Sequence, residues 1–232
     1  KFKLWKFKLW REFDFWKFLH ILMFVGWVGA DMGVFLSAKK ATDSSLPFET
    51  RMLLLHIALR IELIPRTMWK AALPLGVMLS VDMDLVDLST AGVWAVWLFT
   101  LIWWGFSMSG AIYYDRPIGH KLANIANTIT GGVGVGLIVI AIASFLGNGP
   151  FDPAATWLIW KVGLYGLINL TCLGIVITFD PMAAAFGQLA VEGSTPKIEG
   201  LVMRTFNISV FPIWTTYTLV VLVAFIATTK FI

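Results

Sequence analysis

The chain has 232 residues, of which 58% are hydrophobic and 14% charged, and its mean hydropathy is +0.79. A water-soluble domain carries roughly a quarter of its residues charged, so this composition excludes one and points to an integral membrane protein. The net charge of +4 does not indicate nucleic acid, because no basic patch with interleaved stacking aromatics sits on a soluble module; one cysteine, Cys172, excludes an intrachain disulfide.

Residues 1–16 repeat KFKLW twice before REFDFW. Lysines and tryptophans alternate there, the composition of a basic aromatic segment resting on lipid headgroups. The interleaved charge argues against the uninterrupted apolar core of a secretory signal. Residues 17–232 read as a single all-α domain, an integral membrane bundle of about six spanning helices at 17–37, 51–80, 92–113, 118–146, 156–179 and 205–228. Each apolar run reaches the roughly 20 residues that cross a hydrocarbon core. Helices are expected because lipid offers backbone groups no partners. The connection at 180–204 has room for a short interfacial helix. Lysines and arginines occur on both faces, so the positive-inside rule selects no single orientation.

The first span, FLHILMFVGWVGADMGVFL, carries His20 at its start and Asp31 deeper in, with Gly29 and Gly33 allowing close approach. The second holds His56, Arg60, Glu62, Arg66 and Lys70. Each such group near a bilayer centre costs at least about 2.5 kcal/mol, so each must face protein, water or a ligand. Glu62 and Arg66 are four residues apart and can pair, and Pro65 should kink the helix. One reading is a buried ion-pair network that orients the bundle. The other is a site for an anionic or metal-bearing ligand, because Arg60, Arg66 and Lys70 outnumber Glu62.

Helical rise places Asp31, His56 and His120 in one half of the bilayer. An Asp/His/His set can hold copper, iron or zinc; the competing expectation pairs Asp31 with Arg60. The third span, VWAVWLFTLIWWGF, suits packing on lipid or partner subunits. In the fourth, His120, Asn124 and Asn127 form a polar stripe expected to point inward, followed by Gly132 and Gly136 as a small-residue helix contact. GGVGVG is not a phosphate loop, since no Lys-Ser/Thr pair follows it. His20 lies at the opposite membrane face from His56 and His120.

In WKFLHILMFVGWVGADMGVF, the positions Trp16, Leu19, His20, Trp27 and Gly29 resemble the opening helix of two kinds of small bacterial membrane protein. These are the HemJ-type protoporphyrinogen oxidases and the CopD-like copper-resistance proteins. The resemblance covers the first helix. It implies a bacterial inner (cytoplasmic) membrane location and nominates His20 as an axial ligand of haem b.

Three functional readings follow. The first is a cofactor-bearing electron-transfer protein working with a partner and holding haem b or a transition metal. His20, Arg60 and Arg66 would serve a haem, the arginines through its propionates, while Asp31, His56 and His120 would hold a metal. The second is an accessory subunit of a larger membrane complex, its buried charges fixing assembly with other subunits. The third is an ion or metal transporter. Motifs of soluble enzymes are absent, which leaves enzymatic activity undecided.

Overall fold

The computed structural model describes the backbone of residues 6–230 and the side chains of residues 14–230. Within that range the chain is all-α. The helices are α1 (Lys6–Ala41), α2 (Phe48–Ile61), α3 (Leu63–Asp82), α4 (Thr90–Ile112), α5 (Pro117–Phe145), α6 (Thr156–Phe179), α7 (Pro181–Glu192) and α8 (Pro196–Thr229). Five stretches are long and apolar enough to cross a membrane: Asp14–Ala41, Thr90–Ile112, Pro117–Phe145, Thr156–Glu192 and Pro196–Thr229. This is an integral membrane protein with a lipid bilayer around it. The basic aromatic segment expected at 1–16 falls mostly on residues outside the described side chains, and its backbone is helical from Lys6 onward.

The run 51–80, expected as one spanning helix, is two helices broken at Glu62. Pro65 has no N–H to give the carbonyl four residues earlier, which interrupts the ladder at that turn. The ladder resumes with Arg66 N–H donating to the Glu62 carbonyl. Neither α2 nor α3 is among the five apolar stretches: α2 has only 14 residues, and α3 carries Arg66, Lys70 and Asp82.

The helices pack as two compact units, Lys1–Asp31 with Ile61–Ala126, and Met32–Arg60 with Asn127–Ile232. In the first unit α3 lies antiparallel to α4. Arg66 meets Ser107, Thr67 meets Trp104, and Trp69 meets Trp103. The two helices are therefore nearly co-extensive, and the start of α3 is level with the end of α4. At 1.5 Å per residue, the 20 residues of α3 span about 30 Å, the thickness of a hydrocarbon core. If α4 crosses, α3 crosses beside it, despite its charges. Helix α1 runs antiparallel to α3 as well, with His20 beside Gly76 and Gly26 beside Met68. Continuing that register brings Asp31 level with Glu62.

In the second unit α6 is antiparallel to both α5 and α8. Gly134 meets Gly166 and Leu170, and Gly163 meets Ala141. Thr216 donates to Thr171, and Gly174 packs on Pro212. The α6/α8 register sets the end of α6 opposite residue 207 of α8. The first three turns of α8 therefore run past the end of α6. Around that overhang lies an apolar core formed by Ala38 and Ala41 of α1, Leu55 and Ala58 of α2, Met182, Phe186 and Leu189 of α7, and Ile198, Val202 and Phe206 of α8. These elements make a helical cap beyond the crossing portions of α6 and α8.

One boundary that differs from the sequence expectation is the start of α8. Helix α8 starts at Pro196 rather than at 205, with Thr195 as its N-cap accepting from Ile198 N–H. The short helix expected in the connection 180–204 is α7, opened by Pro181. The glycine contact also moves. Cβ atoms built on Gly132 or Gly136 meet nothing within 4 Å, and the same is true of Gly29. The close approach is at Gly134, two residues from both and so on the opposite side of α5.

Candidate functional site

Charged side chains concentrate where the helices change direction, and most are matched. Arg66 pairs with Glu62 through Nη2 and Nε, the Nε contact being 3.1 Å, while its Nη1 donates to Ser107 Oγ at 3.1 Å. The expected pair therefore forms. It is only partly buried, the side chains being 19% and 28% exposed. One turn further along α3, Lys70 is 1% exposed, its Nζ 4.0 Å from the Trp69 ring centre and 5.1 Å from that of Trp103. The two indoles meet edge to face at 5.8 Å. An ammonium over two indole faces recovers part of its hydration energy through the ring quadrupoles. Trp104 Nε1 donates to Thr67 Oγ1 at 3.0 Å, which adds another polar contact to this α3/α4 seam.

The cap holds a second buried cation. Arg51 is 1% exposed and pairs bidentately with Glu199, Nη1 to Oε1 at 2.7 Å and Nη2 to Oε2 at 2.9 Å. Its Nε donates to the Ala41 carbonyl at 2.8 Å, and its guanidinium lies 5.5 Å from the Phe186 ring centre. Ser194 Oγ donates to Glu199 Oε1 at 2.7 Å. One side chain thus ties together the end of α1, the start of α2, α7 and the first turn of α8. The partners lie 148 positions apart, so sequence reasoning missed them. Lys70 was noticed as a charge, but its aromatic box was not; the sole signal was Trp69 beside it.

The nominated residues fall as follows. His20 is half-buried on the face of α1 turned toward α3, its Cε1 3.8 Å from where a Cβ on Gly76 would lie. Buried Met23 and Trp27 share that face. Asp31, also half-buried, continues the His20–Trp27 stripe. Arg66 is held by Glu62 and Ser107, ten residues and about 15 Å along α3 from Gly76. Arg60 and His56 are exposed on α2 in the second unit. His120 is exposed in the first turn of α5, and so is Asn124, whereas Asn127 is half-buried. The inward stripe expected there is corrected: its first two members face outward, because α5 packs through a different side, with Ala123 against Gly110.

Among the described residues no three His, Cys, Asp or Glu side chains form a group able to hold a metal ion. Asp31 and His120 belong to the first unit and His56 to the second. The His20 environment bears on a haem in one respect. Gly76 lets the imidazole lie close against α3 and keeps it directed between the two helices. The arginines do not extend that fit, because Arg66 is already engaged by Glu62 and Ser107 and Arg60 belongs to the second unit. Comparison with protein-family models, curated proteins and solved structures finds no match to this chain.

Proposed function

We propose that this chain is a cofactor-bearing protein of membrane electron transfer, with His20 as the ligand to haem b, working beside a partner subunit in a bacterial inner membrane. The observation that carries the reading is the placement of His20. A histidine with no role beyond hydrogen bonding at an interface would sit on the outer surface; this one faces α3, against Gly76, on a stripe with buried Met23 and Trp27. The likeness of that helix to the HemJ-type and CopD-like proteins supports the same assignment and the bacterial location. When bound, haem supplies a one-electron carrier. The chain's own contribution is to hold the imidazole between two helices and to exclude water with indole and thioether side chains. A transition metal is the other cofactor this reading admits.

A second reading has its own support. Arg51, Arg66 and Lys70 are matched within the chain by Glu199, Glu62 and a pair of indoles. Charges spent in this way stabilise a subunit's architecture, as an accessory role in a larger complex requires.

A reduced-minus-oxidised visible spectrum and metal analysis of protein purified from haem-supplemented cells separate the two. The electron-transfer reading expects haem b bands that disappear in His20→Ala and persist in Asp31→Asn. Protein without haem or metal after supplementation would establish the accessory reading instead.

A further inference from the structure

The outer face of α2 sets an open cation and an imidazole one turn apart among exposed aliphatic side chains. Leu53, His56, Ile57 and Arg60 follow one another along it at helical spacing, and all four are exposed, Leu53 by 60% and Ile57 by 40%. Among the described residues neither His56 nor Arg60 makes a hydrogen bond or an ion pair. That sets Arg60 apart from Arg51 and Arg66, each of which has a carboxylate.

Depth narrows what can meet this face. Within the first unit, the register of Arg66 with Ser107 sets Glu62 level with the last turn of α4, at the edge of the hydrocarbon. Arg60 precedes Glu62 by two residues, so its Cα lies within about 7 Å of that edge. The headgroup layer occupies about 5–7 Å on each side of the core. Within the second unit, α2 contributes Leu55 and Ala58 to the cap core beyond the end of α6. His56 stands one turn before Arg60 on the same exposed face.

We infer that Arg60 and His56 form a binding site for the phosphodiester of an anionic phospholipid, with Leu53 and Ile57 against the upper part of its acyl chains. A guanidinium presents parallel N–H donors that match two phosphate oxygens. An imidazole N–H one turn away supplies a third donor to the same group. The flanking aliphatic side chains suit a lipid and give a soluble anion nothing to contact. Free phosphate would share the polar chemistry but not the apolar contact.

Native mass spectrometry of the full chain, released from bilayers of phosphatidylcholine mixed with phosphatidylglycerol, tests this. The wild type should retain phosphatidylglycerol in preference to phosphatidylcholine. Arg60→Gln and His56→Gln should each weaken that retention about fivefold, the size expected for one cationic contact at a membrane surface. Arg60→Lys should recover part of it, and Lys230→Gln, at the far end of α8, should leave it unchanged. Because the two positions are exposed, the variants are expected to fold, and unchanged helical circular dichroism checks this. Equal retention in wild type and Arg60→Gln would overturn the inference. So would displacement of the lipid by inorganic phosphate alone, or loss of preference only when a co-purifying protein is stripped from α2.

Discussion

The Arg51–Glu199 and Glu62–Arg66 ion pairs differ in what they contribute. Arg51 is buried, and its carboxylate partner is shielded by Ser194, so removing one member strands a charge in the cap core. Glu199→Gln or Arg51→Gln should each lower stability by about 3–5 kcal/mol, whereas replacing both with apolar residues of similar volume should cost much less. Glu62 and Arg66 are partly exposed. Screening there limits the loss from Glu62→Gln to about 0.3–1 kcal/mol. Thermal unfolding of the three single variants in one detergent checks both values. Losses of equal size would contradict the difference in burial.

At the scale of helices, the α5/α6 contact is set by backbone approach. A Cβ on Gly166 would lie 2.6 Å from the Gly134 carbonyl oxygen, and neither backbone can move aside as a flexible side chain could. Gly166→Ala should therefore destabilise the protein by about 1–3 kcal/mol. Gly132→Ala, with nothing within 4 Å, should be neutral or slightly stabilising. Thermal stability of the two variants checks this, and the reverse order would refute the assigned packing face. The sequence made this contact hard to place, because Gly131, Gly132, Gly134 and Gly136 present small residues on several sides of one helix. Other elements were more legible. Apolar runs located α4, α5 and α6 almost to the residue, since lipid leaves a long uncharged run little alternative to a helix. Ser194, Thr195 and Pro196 spelled an N-cap and a first-turn proline, but the charges after them hid the start of α8. The Glu62–Arg66 pair could be read because it is local. Arg51–Glu199 could not, because its partners meet only through the tertiary fold.

For the whole molecule, the outcome concerns where the charges stand relative to lipid. Counting spans by hydropathy put His56 and Arg60 inside a crossing helix, where each would carry a heavy insertion cost. In the structure both are exposed on α2, a 14-residue helix too short to cross. Helices α3 and α4 match in length, and α8 overruns α6 by three turns. The core of α1, α2, α7 and α8 residues gathers around that overrun. Of the six crossings expected from sequence, five coincide with stretches long and apolar enough to span, and in place of the sixth α3 lies antiparallel beside α4. The proposed lipid site requires helix α2 to lie in the headgroup region; the structure shows it packed in the core with α7 and α8, with His56 and Arg60 exposed. His20 remains in the half of α1 that faces α3, which is why it alone carries the proposed cofactor. The most direct test is labelling of single cysteines in intact vesicles with a membrane-impermeant maleimide, in a Cys172→Ser background. Leu53→Cys should react as readily as Ser45→Cys and from the same side, while Val139→Cys in α5 stays protected. Protection of Leu53→Cys equal to that of Val139→Cys would put α2 in the hydrocarbon and contradict the account.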